Sequence, residues 1–587
     1  MSTSTAWAAP HLVELLSERA AAHPERLALR FIHDDAAQTR LSYAELHARA
    51  GRLAAQLSER ARRGERALLL YPNGPQYVVA LLACWYAGII AVPAYPPQSL
   101  AARHFDRILG IARDAGPALL LTEQALLAPL RMVQSSLEGL STLPLLATDP
   151  FELDPSGDGF RPGPIRPEQL AMLQYTSGST SLPKGVMLSH ANLIANEHAI
   201  HEAFAIQPDD VIVSWLPLFH DMGLIGTLLQ PLFAGVSAVL MAPQRFIGRP
   251  RRWLEAISRY HGTVSGAPDF AYRMCVQHVA SGESEALDLS SWRLAFCGAE
   301  PVRDQTLQAF ADRFAALGFS RRALYPCYGL AEATLIVTGG RRGDGVKSAV
   351  FSSRELRQHR AVPASGGAGQ RLVGCGVARS QHGVRIVDPD TGRALAPGQV
   401  GEIQVAGPSV ARGYWNNPEA TRNTFAERAG GVFLRTGDLG FLHDGELFVT
   451  GRAKDMIIVR GQNLYPQDIE RAVEADNAVV RSGRVVAFAL EIAGEEGIAL
   501  AAEVNARVQK LIEPAGVCRE IAELVAQHCG EPPKLVLLLK PGSVPLTSSG
   551  KLQRSACRRA WLERRFEVLA AHGPGAEPAA ESRRAPP

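Results

Sequence analysis

The sequence predicts an α/β protein: a large N-terminal domain of parallel αβα sheets, a small antiparallel β subdomain, and a small α+β C-terminal domain. Three observations carry this. Helical periodicity such as YAELHARAGRLAAQL (43–57) alternates with short apolar runs such as ALLLY (67–71) and AVLMA (238–242). That alternation makes βα units, with strands parallel and helices on both faces. From about Gly383 the texture changes to short β-like pieces, VRIVD, GEIQVAG and GELFVTG, separated by Gly, Pro and Asn turns. These read as an antiparallel subdomain closing the large lobe. After Lys454 and Asp455 the strands MIIVRG, VVAFALE, IALAAEV and KLVLLL alternate with helices at 466–475 and 515–529.

The chain has 587 residues, 47% of them hydrophobic, more than one core can organise, so two or more domains and a deep ligand site are expected. The domains expected are 1–453, 454–566 and an unstructured tail at 567–587, where large apolar residues are few. The longest uncharged stretch, 67–102, is broken by Pro72, Gly74, Pro75, Gly88, Pro93, Pro96 and Pro97. It reads as a buried helix (77–87) and a buried strand (89–92), not as a membrane span.

Composition also excludes function classes. A net charge of +3, with both signs interspersed, argues against nucleic acid and against a polybasic membrane anchor. The eight cysteines show no CxxC pair and no zinc-ligand spacing, which fits a reduced cytoplasmic setting. The first residues lack a basic stretch followed by an apolar core, so no signal peptide and no stable membrane insertion are expected.

The strongest chemical signal is YTSGSTSLPKG at 175–185. Thr176, Ser177, Ser179 and Thr180 surround Gly178, where the backbone can approach phosphates closely, and Lys184 adds a point charge. The spacing GxxxxGK[ST] is absent, so this polyphosphate cradle is not that of a P-loop NTPase. A hydroxyl cluster alone would be a surface turn; the Pro-Lys-Gly continuation and the apolar residues before it favour nucleotide.

With this motif the chain resembles the adenylate-forming superfamily of acyl-CoA synthetases, peptide-synthetase adenylation domains and luciferase, over nearly its whole length. Further motifs follow in the family order. The resemblance implies that GAEP (Gly298, Ala299, Glu300, Pro301) lines an adenine. In YGLAEAT, Tyr328 would stack on that adenine beside Gly329 and Ala331, and Glu332 would help hold magnesium (Mg2+). It places Asp438 of RTGDLG on the ribose hydroxyls of ATP, Arg452 near the ribose, Lys454 at a hinge, and Lys551 of TSSGKLQR as a catalytic lysine brought by a mobile small domain. Catalysis is thereby expected from Lys551, Glu332, Lys184 and Thr176. Each residue alone has a plain reading, such as a turn cap or an exposed charge; the ordered set does not.

Within the superfamily the chain resembles the fatty acyl-AMP ligases. Ser181 stands where most relatives have glycine, YGLAEAT replaces the commoner YGxTE, and WLPLFHDMGLIG (215–226) and NLYPQDIE (463–470) are branch-like. An extra stretch at about 341–371 is similar to the insertion that, in this branch, packs on the small domain and favours carrier protein over free CoA. The alternative is an inert surface loop. Leu546 departs from the lysine that relatives often carry before TSSGK.

The resemblance implies a medium- or long-chain fatty acid joined to AMP with release of pyrophosphate. Transfer then goes to the phosphopantetheine thiol of a holo acyl carrier protein, for polyketide, nonribosomal peptide or complex lipid synthesis. The acid is expected in a tunnel near Trp215, Phe219, His220, Met222, Gly266 and Ala267, and no cationic partner for a charged tail is evident. Two alternatives stand beside this: a CoA-using acyl synthetase, and a non-catalytic nucleotide- or fatty-acid-binding protein. The intact Lys184, Glu332, Asp438 and Lys551 count against the latter.

Overall fold

The computed structural model describes residues 9–97, 105–134, 137, 139–153, 158–176, 183–279, 286–364, 369–428, 431–460, 462–492, 495–506, 508–547 and 550–576. Two large sheets form the N-terminal body. One has nine strands, in the order Val377–Ala378, Ile336–Gly339, Leu324–Gly329, Leu294–Cys297, Val264–Ala267, Val211–Ser214, Ser237–Met241, Leu27–Ile32 and Gln38–Ser42. The second has six, in the order Leu145–Ala147, Leu119–Thr122, Arg66–Leu70, Ile90–Ala94, Leu170–Thr176 and Lys184–Ser189. Both are parallel in the middle and antiparallel only at their edges.

The helix Pro75–Ala87 joins the two sheets. Proline starts it, Gly88 at φ +73° ends it, and all its residues but Gln76 are buried. Such an all-round apolar helix belongs between layers. Its Trp85 Nε1 donates to the Ala171 carbonyl of one sheet at 2.9 Å, and its Tyr77 hydroxyl donates to the Leu218 carbonyl beyond the other at 2.8 Å. Helices Tyr43–Ser58 and His190–Phe204 each open with a capping box, Ser42 with Glu45 and Ser189 with Asn192, which satisfies N-terminal donors that would otherwise be orphaned.

The expected antiparallel subdomain is a five-stranded sheet of Gly383–Val387, Gly401–Ala406, Gly431–His443, Phe425–Arg428 and Glu446–Arg452. The C-terminal part packs helices Pro466–Asp476, Pro514–Cys529 and Arg554–Leu562 on the strands Val480–Ile492, Glu495–Val504, Leu535–Leu539 and Val568–His572. The last strand corrects the expected tail: Val568–His572 pairs antiparallel with Leu535–Leu539. It hides from a composition reading because an edge strand needs only one apolar face. Residues 577–587 of that tail lie outside the described residues. Among the described residues no helix is long and apolar enough to cross a membrane.

Candidate active site

The N-terminal body, the antiparallel subdomain and the C-terminal part enclose one cavity of about 1150 Å³. One wall comes from the hairpin Leu170–Thr176 and Lys184–Ser189, whose register sets Thr176 opposite Lys184. Ser177, Gly178, Ser179, Thr180 and Ser181 lie outside the described residues. The returning strand is clamped by the segment at 412–415: the Met187 amide donates to the Gly413 carbonyl at 3.0 Å and the Trp415 amide to that of Gly185 at 2.7 Å. This clamp presents Tyr414, whose ring receives the Lys184 ammonium at 4.9 Å and whose hydroxyl donates to Glu332 Oε1 at 2.8 Å. One aromatic side chain thus couples Lys184 to Glu332. Removal from solvent pushes the Glu332 carboxyl above the usual carboxylate range, and the Tyr414 hydrogen bond opposes that shift.

Glu332 sits on a turn held under strain. Thr334 has φ +72°, in the half of backbone space that β-branched residues avoid. The turn persists because its neighbours fix it. The Thr334 hydroxyl donates to the Ser409 carbonyl at 2.6 Å, and Asn196 Nδ2 donates to the carbonyls of Ala333 and Ile336 at 3.2 and 3.0 Å.

The wall around Tyr328 is equally built. Asp438 accepts the Tyr328 hydroxyl at 2.8 Å and Arg452 Nε at 3.1 Å. Gly298, Ala299, Glu300, Pro301, Gly329 and Ala331 complete this wall. Gly329 is a close approach, since a Cβ there would stand 1.8 Å from the Leu335 carbonyl oxygen.

Lys551 reaches the same cavity from the C-terminal part. Burial pushes its ammonium pKa down; Asp221 opposes this, Arg452 adds to it, and Glu300 and Asp438 oppose it. Its loop is pinned by Thr547, whose amide donates to the Lys551 carbonyl at 2.8 Å and whose hydroxyl accepts the Lys551 amide at 3.0 Å. Lys454 lies in the connecting turn with its pKa lowered by burial and by Arg452. Across the seam Arg303 pairs with Glu474 at 3.2 Å.

The expected acyl residues divide. His220 and Met222 line the cavity, and the His220 ring pairs with Asp221 at 2.6 Å. Trp215, Phe219, Gly266 and Ala267 are not among the residues that line it; Trp215, Gly266 and Ala267 are buried and Phe219 is half-buried. Trp215 stacks on Phe246 at 3.9 Å, and Phe219 meets Tyr95 edge-on at 4.9 Å. Gly266 gives its side-chain space to the Phe296 ring, 2.3 Å from where a Cβ would stand. The apolar wall comes instead from Ile200, Phe204, Gly226, Phe296, Leu335 and Ile336. Asp221 and Tyr414 were also missed; the signals were an aspartate beside His220 and a tyrosine within ARGYWNNPEAT.

The extra stretch folds as a hairpin, Ser348–Phe351 with Gln370–Val373, and a short helix, Ser353–Leu356. Phe351 and Leu356 are fully buried with Phe441 and Phe448 of the antiparallel sheet and Tyr465 of the C-terminal part. Gln370 Nε2 donates to Asp468 Oδ1 at 2.7 Å, and Arg357 Nη2 donates to the His528 carbonyl at 2.9 Å.

Comparison with known proteins agrees in kind. Residues 16–415 match the AMP-binding enzyme family. The chain is 43% identical over 563 residues to the medium-chain-fatty-acid–acyl-carrier-protein ligase JamA of Moorena producens, covering 94% of this chain and 95% of the relative. It is 35% identical over 573 residues to the long-chain-fatty-acid–AMP ligase FadD23 of Mycobacterium tuberculosis, covering 93% and 96%. Among solved structures, a fatty acyl-adenylate ligase from L. pneumophila in complex with acyl adenylate and pyrophosphate aligns at TM-score 0.76 and 37% identity, over 97% of this chain and 99% of that one. A structure from studies of the E. coli and L. pneumophila fatty acyl-adenylate ligases aligns at TM-score 0.86 and 34% identity, over 95% and 99%.

Proposed function

Because the chain belongs to the AMP-binding enzyme family, we propose that it activates a fatty acid with ATP to an acyl-adenylate, releases pyrophosphate, and passes the acyl group to the phosphopantetheine thiol of an acyl carrier protein. The observation that carries this is the position of Lys551 in one cavity with Thr176, Lys184, Glu332 and Asp438. A carboxylate must attack the α-phosphate, an approach of two anions. Cations preorganised around that point stabilise the transition state more than the separated reactants. Lys184 serves the phosphate tail, Lys551 the reacting oxygens, and Asp438 with Arg452 the ribose.

The acidic donors suit magnesium held chiefly by the nucleotide. Among the described residues no three His, Cys, Asp or Glu side chains gather to hold a metal. Glu332 offers one hard carboxylate near Lys184, the one- or two-carboxylate pattern of magnesium on phosphates. When bound, the ion neutralises phosphate charge.

In this reading the large domain is 1–453 and the small domain begins at 454, turning about Lys454 so that a thiol can take the place of Lys551. Thiolate attack on the acyl carbon then forms a thioester and expels AMP. The packing of Phe351 and Leu356 against Tyr465 restrains that turn and supports carrier protein over free CoA, as do the printed activities of JamA and FadD23. The test is product analysis after incubation with ATP, magnesium and a fatty acid. Acyl-AMP should form, with transfer to a holo carrier protein and little acyl-CoA. Efficient acyl-CoA turnover would replace this reading with a CoA ligase.

A further inference from the structure

Lys551 reaches the cavity on a loop whose two ends are tied together. Leu546 and Leu552 bridge across it, and the Gln553 amide donates to the Pro545 carbonyl at 3.1 Å. The next residue, Arg554, opens helix Arg554–Leu562. Its Nε and Nη2 donate to the two oxygens of Glu470, each at 2.8 Å, and its Nη1 donates to Asp455 Oδ2 at 3.1 Å. Asp455 ends the connecting turn that contains Lys454. Glu470 is fully buried and accepts a further bond from the Ala487 amide at 3.1 Å.

Glu470 lies on helix Pro466–Asp476, and one turn further along the same face stands Glu474. Glu474 crosses to the N-terminal body. Its Oε2 accepts Arg303 Nη1 at 3.2 Å and stands 3.9 Å from Arg273 Nη1, while its Oε1 accepts the Gly483 amide at 2.8 Å. Arg303 lines the cavity shortly after Pro301, and its amide donates to Asp269 Oδ1 at 2.9 Å. One helix face thus links the Lys551 segment to the GAEP wall of the cavity.

Adhesion is not what these charges supply. Cys557 and Trp561 already seat helix Arg554–Leu562 in an apolar cluster with Val486, Phe488 and Leu537. A buried ion pair adds little net stability to such packing, whereas a guanidinium forked on a carboxylate admits one geometry. Resting on the adenylation reading, we propose that Arg554 is a positioning residue: through Glu470, Glu474 and Arg303 it sets where Lys551 meets the reacting oxygens. The Glu474–Arg303 contact crosses between the two domains, so a turn of the small domain breaks it. The positioning therefore serves adenylate formation and not transfer to the thiol.

The experiment measures two half-reactions in Arg554→Lys, Glu474→Gln and the double variant: adenylate formation from ATP and octanoic or dodecanoic acid, and transfer from supplied acyl-AMP to a holo carrier protein. Arg554→Lys keeps the charge and loses the fork. It should lower kcat for adenylate formation by roughly thirtyfold, with KM for ATP and the transfer rate within about twofold of the unaltered enzyme. Glu474→Gln leaves the Arg554–Glu470 pair intact and should lower the same kcat by roughly tenfold. Because the two act in series, the double variant should fall little below Arg554→Lys alone. Equal losses in both half-reactions, or losses that multiply in the double variant, would overturn the proposal. Should Arg554→Lys lose its cooperative thermal transition, Glu474→Gln decides alone: an unchanged kcat, or an equal loss in transfer, overturns it. Absence of pyrophosphate release from the unaltered enzyme with either acid would instead remove the reading beneath it.

Discussion

The C-terminal part meets the rest of the molecule at two places of opposite character. At the cavity, Lys551 enters a chamber lined by Asp221, Glu300, Asp438 and Arg452, where burial and Arg452 both disfavour its charge. At the extra stretch, Phe351, Leu356 and Tyr465 form an apolar cluster with Phe441 and Phe448, with the Gln370–Asp468 hydrogen bond at its margin. Apolar burial is favourable in itself, whereas a desolvated charge is held only by its partners. The difference teaches that reaching the cavity and holding the domain are separate tasks. On the proposed function, Lys551 awaits a charge that the reaction brings, and the extra stretch would supply the adhesion.

The largest expected effect tests the first half of this contrast. Lys551→Ala removes one preorganised charge and should slow acyl-adenylate formation by on the order of a hundredfold or more. Transfer from supplied acyl-AMP to a holo carrier protein should change little. Hydrogen exchange across helix Pro466–Asp476 should also be unaltered, because the lysine does not hold the domain. Equal loss in both half-reactions, or a general loosening of that helix, breaks the comparison.

An intermediate effect tests the second half. Leu356→Ala removes a fully buried side chain, and such truncations cost about 2–5 kcal/mol of local packing. Part of that cost falls on the contact with Tyr465. Protection of Pro466–Asp476 against hydrogen exchange should drop, and whatever acyl-CoA formation exists should rise, while acyl-AMP formation persists. Unchanged protection and unchanged CoA use in the folded variant would make the extra stretch a passive loop.

How much of this was legible in the sequence follows from how each feature is encoded. The βα body was legible because helix and strand periods alternate over long windows, and the helix expected at 77–87 is Pro75–Ala87. The residues expected at the nucleotide come together because each belongs to a contiguous motif: Glu300, Tyr328, Glu332, Asp438 and Arg452 all line the cavity. The apolar wall was not legible. Ile200, Gly226, Phe296 and Leu335 come from separate elements, and each sits in an apolar run that looks like any core run. Trp215 was expected there from its place in WLPLFHDMGLIG, and its ring stacks on Phe246. Tyr414 escaped because its role exists only once the clamp brings it between Lys184 and Glu332.

The smallest expected effect concerns pH at the adhesive contact. The Asp468 carboxyl is pushed up to about 6 by burial, against the opposing pull of Arg471 and Gln370. When the small domain turns away from the extra stretch, hydration should return it toward the ordinary 3.8. The docked state therefore binds a proton that the released state gives up. Above pH 6 the group is ionised in both states and the contact bears the cost of a desolvated charge. As pH falls from 6 towards 4 that cost is relieved, so docking tightens with acid and weakens through the raised pKa as pH rises. A distance probe between the extra stretch and helix Pro466–Asp476 should report a larger docked fraction at pH 5 than at pH 7.5. Asp468→Asn, neutral throughout, should flatten that dependence while keeping an acceptor for Gln370. A docked fraction that rises with pH, or an Asn variant with the original slope, would place the titrating group elsewhere and leave the adhesive contact purely apolar.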